Sequence, residues 1–382
     1  MNTTATNQVQ YSTKALLYLA FELGNAQWKL GFTIGLGQQP RQRAIPAGDL
    51  ARLQQEVARA KKRFRLAEPV RVVSCYEAGR DGFWLDRYLR SEGIENVMVD
   101  AASIEVNRRA RRAKTDRLDL GKLVTMLIRY HSGEPKVWHV VQVPTLEQGD
   151  RRQLHRELLR LRQARTSHIN RLKGLLVSQG VRLAVKKEFL KQVECVHLWD
   201  GSPVPPGLKA RLQREYERLQ LVERQIKALE AERRAAIRHS TDPAVEMVRH
   251  LLRLRAIGPN SAWLYVMEFF SWRNFHNRRE VGALAGLTPT PYQSGASDRE
   301  QGIDKAGNRY IRSIAIEIAW RWLYLQPESE LSQWYQARFG QGSKRLRKIG
   351  IVALARKLLI ALWRYLETGE VPAGAVLSPP SA

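Results

Sequence analysis

Cysteine is nearly absent. Cys75 and Cys195 are the two in 382 residues, far apart and without His or Cys neighbours at zinc spacing, which excludes a disulfide framework and a structural zinc and leaves both reading as buried thiols. Long apolar runs are missing too. No stretch approaches the roughly 18 uninterrupted apolar residues of a spanning helix, so no membrane partner is expected. The polar stretch 1–13 lacks the charged and apolar blocks of a secretion signal, which makes a cytoplasmic protein the expectation. Acids are the third scarcity: 63 Lys and Arg face 37 Asp and Glu, a net charge of +26. That excess goes beyond what solubility requires, and a polyanion is the expected partner.

The first 140 or so residues alternate strand and helix signals. Leu16 to Glu22 is a short apolar run, Gly24-Asn25 a hairpin dipeptide, and Gln27 to Ile34 an alternating second strand, with Arg41 to Ile45 as a third. Leu50, Leu53, Val57 and Ala60 have helical spacing, and Val70 to Tyr76 is a β-branched run of the buried kind. Asp81 to Ser91 reads as helix, Asn96 to Val99 as strand and Lys114 to Tyr130 as helix. Hairpin strands followed by alternating helices and parallel strands is the order of an α/β RNase H-like domain, expected over 14–145.

From about Glu147 strand signals vanish. Leu154, Leu158, Leu161, Ile169, Leu172 and Leu176, and again Leu212, Leu219, Ile226 and Leu229, mark two long helices separated by the proline-rich loop at 203–207. An antiparallel coiled-coil arm over 146–242, serving dimerisation, is expected; a helical linker packed on its own domain is the alternative. The segment 243–370 reads as a mainly α domain. Leu254 to Pro259 followed by Ser261 to Phe270 resembles a helix-hairpin-helix, whose Gly258 would let backbone amides approach a phosphate. A long loop then carries Ser, Asn, Lys and Arg together, Ile349 to Leu366 forms a last helix, and the tail from Val371 reads as disordered.

Four acids stand out against this basic background. Glu22 and Glu77 end apolar strands, and Asp116 and Asp119 share one helix face at i and i+3. Such a cage suits Mg²⁺, with Mn²⁺ as an alternative: hard oxygen ligands hold two ions roughly 4 Å apart, which activate an attacking oxygen and stabilise a leaving one during phosphodiester cleavage. Singly, each acid also fits a solvated charge or a partner of a helix dipole. Ser294 is the second chemical candidate, because Arg299, Lys305, Asn308, Arg309 and Arg312 could hold a phosphate beside it. Arg108, Arg109, Arg111, Arg112 and Lys114, immediately before the acid helix, would grip a phosphate backbone without reading bases. Trp28, Trp84, Trp138, Trp320, Trp322 and Trp363 read as core.

Tyr76-Glu77-Ala78-Gly79, Lys114-Thr115-Asp116-Arg117-Leu118-Asp119, Gly286-Leu287-Thr288-Pro289 with Gln293-Ser294-Gly295, and Gly307-Asn308 together resemble the transposases of the one-hundred-and-ten class of insertion sequences. The resemblance runs from about Lys14 to Glu370. It implies a RuvC-like N-terminal domain with an acidic DEDD tetrad, here Glu22, Glu77, Asp116 and Asp119, and a C-terminal serine transposase domain whose nucleophile maps to Ser294. It further implies a covalent phosphoserine link to DNA, strand exchange between donor and target DNA through a Holliday junction, and guidance by an element-encoded bridge RNA. Dimers or tetramers are implied, with the serine domain of one protomer meeting the RuvC-like domain of another. The chain departs from the pattern at Glu22, where Asp is usual, and at Asp304, where Ser is expected.

Three functions therefore compete: an RNA-guided transposase or recombinase, a RuvC-like nuclease or junction resolvase acting by water attack, and a nonenzymatic nucleic-acid scaffold.

Overall fold

The structure, a computed structural model, describes residues 15–79, 82–104, 116–294 and 297–378. The chain divides into two compact units, Met1–Pro144 and Thr145–Ala382.

The first unit is built on a mixed five-stranded sheet in the order β3-β2-β1-β4-β5. Its strands are β1 (Leu16–Leu23), β2 (Gln27–Thr33), β3 (Arg41–Pro46), β4 (Arg71–Glu77) and β5 (Glu95–Val99). β1 and β2 pair antiparallel, as do β2 and β3, while β1, β4 and β5 run parallel. The strand β1 is almost continuously apolar because helices cover both of its faces. Leu17, Leu19 and Phe21 pack with Leu53 and Val57 of α1 (Leu50–Arg63) and with Leu85 and Leu89 of α2 (Gly82–Ser91). Tyr18 and Ala20 point the other way and meet Leu120, Val124 and Leu127 of α3 (Asp116–His131). Buried Asp86 is satisfied by Arg90 and Asn96, and Asn96 in turn accepts from Ser74, so α2, β4 and β5 are tied by one polar network.

The second unit is mainly helical. α4 (Leu146–Val177) opens with a capping box in which Thr145 and Gln148 bond reciprocally. α6 (Pro206–His239) begins with proline at its first position. The two helices run antiparallel: Leu172 and Leu176 meet Leu208 and Leu212, whereas Leu158 meets Val222 and Ile226. Short α5 (Phe189–Cys195) lies between them in sequence. There follow α7 (Pro243–Leu252), α8 (Pro259–Tyr265), a π-helical turn at Val266–Phe270, α9 (Arg278–Leu284), α10 (Arg309–Leu325), α11 (Glu330–Tyr335) and α12 (Lys344–Thr368).

Several expectations change here. The long helices expected as a separate arm share one compact unit with 243–378, because buried and half-buried polar side chains pin them to it: Asn260 of α8 accepts from Arg162 and Arg233, and Glu268 binds Arg152 and Arg156. The loop expected after Thr288 contains an antiparallel hairpin, β6 (Pro289–Ser294) and β7 (Ser297–Ile303). The tail is ordered through Ser378. Buried Gln326 donates to the carbonyls of Arg255 and Val376 and accepts from the Val376 amide. In the turn expected to offer amides to phosphate, those of Arg255, Ile257 and Gly258 already bond to Val376, Leu254 and Ser261. The left-handed position there is Ala256, at φ 85°, whereas Gly258 is extended. Cys195 is exposed rather than buried. Trp84 and Trp320, expected in the core, are 40% and 48% exposed.

Candidate functional site

In the first unit, β1 and β4 are neighbouring parallel strands whose register pairs Phe21 with Tyr76. Glu22 and Glu77 are the next residues on each, so both leave the same edge of the sheet on the same face, roughly one interstrand spacing of 4.8 Å apart at the backbone. Alternation puts that face on the side of Ala20 and Cys75, which α3 covers. Gly31 lies opposite Ala20, and a Cβ there would stand 3.0 Å from Leu120 Cγ. At the other end of α3, the His131 ring meets Tyr18 with centroids 6.3 Å apart. α3 therefore runs antiparallel to β1, and its first turn, with the backbone of Asp116 and Asp119, approaches the end where Glu22 and Glu77 emerge. Glu77 is exposed and Glu22 half-buried. The side chains of Asp116 and Asp119 lie outside the described part. Among the described residues no three His, Cys, Asp or Glu side chains gather at metal-binding distance, a set that omits those two acids.

In the second unit, Ser294 ends β6 and pairs with Ser297 of β7. Its side chain and that of Arg299 lie outside the described part, as do residues 295 and 296. The stem of the hairpin is fixed by close backbone packing. Asp304 N donates to Thr288 O at 2.8 Å, and Asn308 N donates to Leu284 O at 2.7 Å. Gly286 adopts φ 66°, and a Cβ on Gly307 would come within 2.2 Å of Gly286 N. Both motif glycines are thus explained by close approach of two chain segments.

The candidate phosphate-binding residues divide. Lys305 and Arg309 are exposed, and the Arg309 guanidinium lies 5.0 Å from the Tyr310 ring centre. Arg312 donates to the carbonyls of Lys305 and Gly307 and so shapes the stem. Asn308 caps α10, accepting from the Tyr310 and Ile311 amides, while its amide group donates to Glu268. Arg108, Arg109, Arg111, Arg112 and Lys114 fall outside the described residues.

Glu268 was missed by sequence reasoning. It is fully buried in the π-helical turn and takes hydrogen bonds from Arg152, Arg156 and Asn308, with His155 Nε2 3.2 Å away. Burial alone would push its carboxyl up, but the His155 and Arg156 contacts and the charge of Arg152 outweigh that and hold it far below the usual carboxylate range. Burial pushes the nearby Arg273 down, reinforced by Arg152. A lone acid inside the apolar run 262–270 was the available signal, since such a residue must find a cation. Through Asn308 this network reaches the stem of the Ser294 hairpin.

Residues 248–336, which span the Glu268 turn and the whole hairpin, match the family model described as Transposase IS116/IS110/IS902 family. Over 377 residues the chain is 42% identical to the putative transposase y4rJ of Sinorhizobium fredii (strain NBRC 101917 / NGR234), covering 95% of either protein. It is 29% identical over 231 residues to a probable family 20 transposase of Pseudomonas aeruginosa, across 59% of this chain and 66% of that protein. It is 26% identical over 237 residues to the transposase for insertion sequence element IS1328 of Yersinia enterocolitica, across 61% of this chain and 67% of the relative. The chain belongs to the IS116/IS110/IS902 family of insertion-sequence transposases.

Proposed function

We propose that this transposase is an RNA-guided DNA recombinase in which an acidic tetrad on an RNase H-like, RuvC-like unit cooperates with Ser294 as nucleophile. The observation that carries the reading is the adjacency of Glu22 and Glu77 at the ends of neighbouring parallel strands, on the face toward which the first turn of α3 points. Carboxylates are hard donors, which is the ligand chemistry Mg²⁺ takes. Glu22, Glu77, Asp116 and Asp119 would hold it, with Mn²⁺ as an alternative. When bound, the ion would supply Lewis-acid neutralisation of the scissile phosphate.

The Ser294 hydroxyl attacks a DNA phosphorus. The Oγ–P bond forms as one P–O bond to deoxyribose breaks, the serine gives up its proton and the released sugar oxygen takes one up. Attack by a second sugar hydroxyl on the phosphoserine reverses these changes and rejoins DNA, so no external energy source is consumed. The exposed cations Lys305 and Arg309 at the hairpin stem suit electrostatic stabilisation of the phosphate. The basic stretch from Arg108 to Lys114 suits backbone contacts with guide RNA or with donor and target DNA. Two or four copies acting in the cytoplasm complete the reading; among the described residues no helix is long and apolar enough to cross a membrane.

The test uses end-labelled donor DNA, Mg²⁺ and the full chain. A protein-linked product that disappears in Ser294→Ala supports the proposal. Free 5′-phosphate ends with no adduct indicate instead a nuclease or junction resolvase acting by water attack. Activities unchanged in Asp116→Asn and Asp119→Asn would reduce the acids to structural groups on a binding scaffold. Sequencing RNA that copurifies with the protein checks the guide.

A further inference from the structure

A wide groove in the second unit, about 1680 Å³, is lined among the described residues by eight Lys and Arg side chains and by no Asp or Glu. Arg278, Arg338, Lys344, Arg345 and Lys348 are all exposed, and among the described residues none of the eight has a carboxylate within ion-pair distance. Cations at this density repel one another, and a bound polyanion is the straightforward compensation. The floor has the opposite character. Trp334 and Phe339 contribute aromatic surface, with ring centres 5.5 Å apart, and Leu346 and Ile349 are 40% and 46% exposed although they face the groove. Lys357 lies 4.6 Å from the Trp334 ring centre, joining the two characters at one point.

The groove also has a fixed relation to the hairpin. Pro289 and Ile303, paired at the hairpin base, are both lining residues. Ser294 lies five residues further along β6, roughly 16 Å at the rise of a strand. That span corresponds to a few nucleotides. A duplex keeps its base faces stacked inside the helix and would leave the apolar floor against polar groups. An unpaired strand offers phosphates to the rim and base faces to the floor.

The geometry points to this groove as the binding site for an unpaired DNA strand flanking the phosphate that meets Ser294. The inference rests on the proposed role of Ser294, because that role makes DNA, rather than RNA, the strand next to the hairpin. Arg278, Arg338, Lys344, Arg345 and Lys348 grip phosphates, while Trp334 and Phe339 receive a base.

The test is equilibrium binding of the full-length protein to a fluorescent single-stranded donor-end oligonucleotide, its duplex and an RNA of the same sequence, over a salt series. A triple variant, Arg338→Ala with Arg345→Ala and Lys348→Ala, changes exposed positions and should keep the wild-type melting curve. It should weaken single-stranded DNA binding at least tenfold and lower the salt slope by about 2, near 0.7 per lost phosphate contact. Duplex binding should change less. Photocrosslinking of an iodouracil-substituted strand should label peptides within 334–360. Wild-type affinity in the triple variant, an equal loss for duplex, preferential binding of the RNA, or crosslinks confined elsewhere would each overturn the assignment. Ser294→Ala should bind the strand normally, so loss of the adduct and loss of groove binding report on the two proposals separately.

Discussion

Glu22 and Glu77 are set by the register of a sheet whose neighbours are hydrogen-bonded along their lengths, whereas Ser294 stands at the end of a two-stranded hairpin anchored at its stem. In the first unit the backbone itself fixes the spacing between the acids, and the apolar layers on both faces hold the strands. In the second, the stem is held by two glycine contacts and by a buried carboxylate that reaches it through Asn308. A remote substitution should therefore act differently on the two: in the first unit it lowers stability and leaves the acids in register, and in the second it displaces Ser294 before the unit melts.

The largest effect is expected at the proposed metal ligands. Glu77→Gln should reduce DNA cleavage by about a hundredfold or more, the scale of losing one preorganised charge-stabilising group, with the melting temperature unchanged. A melting temperature that fell in step with activity would show that Glu77 serves the sheet rather than the chemistry.

Next in size is Glu268→Ala, which leaves Arg152 buried without its carboxylate and should cost about 3–5 kcal/mol in denaturant unfolding of the second unit. The same residue predicts acid sensitivity. Its folded carboxyl is held below the ordinary value of 4.5, so its contribution is complete above that pH and is lost as pH falls below it toward the folded value. The second unit of the wild type should lose stability on acidification below about pH 4.5, and Glu268→Gln should flatten that slope; a slope unchanged by Glu268→Gln would assign the sensitivity to other carboxylates.

Gly307→Ala strains the hairpin stem directly. Its Cβ meets backbone atoms at 2.2 to 2.7 Å, and overpacking of this kind costs about 1–3 kcal/mol. Strand joining should fall further than that loss of stability explains, measured by adduct yield at a temperature where the variant is folded. The smallest effect belongs to the sheet surface. Arg71 binds Glu95 through two hydrogen bonds, yet both side chains are about half exposed, so Glu95→Gln should cost less than about 1 kcal/mol and leave cleavage intact.

Sequence pattern reached the two units unequally for the same reason. Strands at 16–23 and 27–33 and the helix at 50–63 were legible because burial against a flat sheet imposes periodicity on the residues themselves. The β6–β7 hairpin was not, since Pro289 and Pro291 weaken a strand reading and its pairing rests on backbone bonds between mostly polar residues. The placement of Glu22 and Glu77 followed from strand ends, whereas the Glu268 network depends on partners 112 and 116 residues away in sequence. Asn308 stood out as a motif residue, but its composition did not distinguish contact with a phosphate from capping α10, and its side chain is committed to the cap and to Glu268.

Gln326 has a consequence for any segment that competes with the C-terminal tail. Its side-chain amide acts as an inserted peptide group, giving to and taking from the Val376 backbone while also holding Arg255 O. A rival peptide could replace the tail by presenting a main-chain N–H and C=O in the same register, whatever its side chains. Excision after Glu370 would remove both bonds to Val376 and leave that amide with Arg255 O alone, so a tag belongs beyond Ser378.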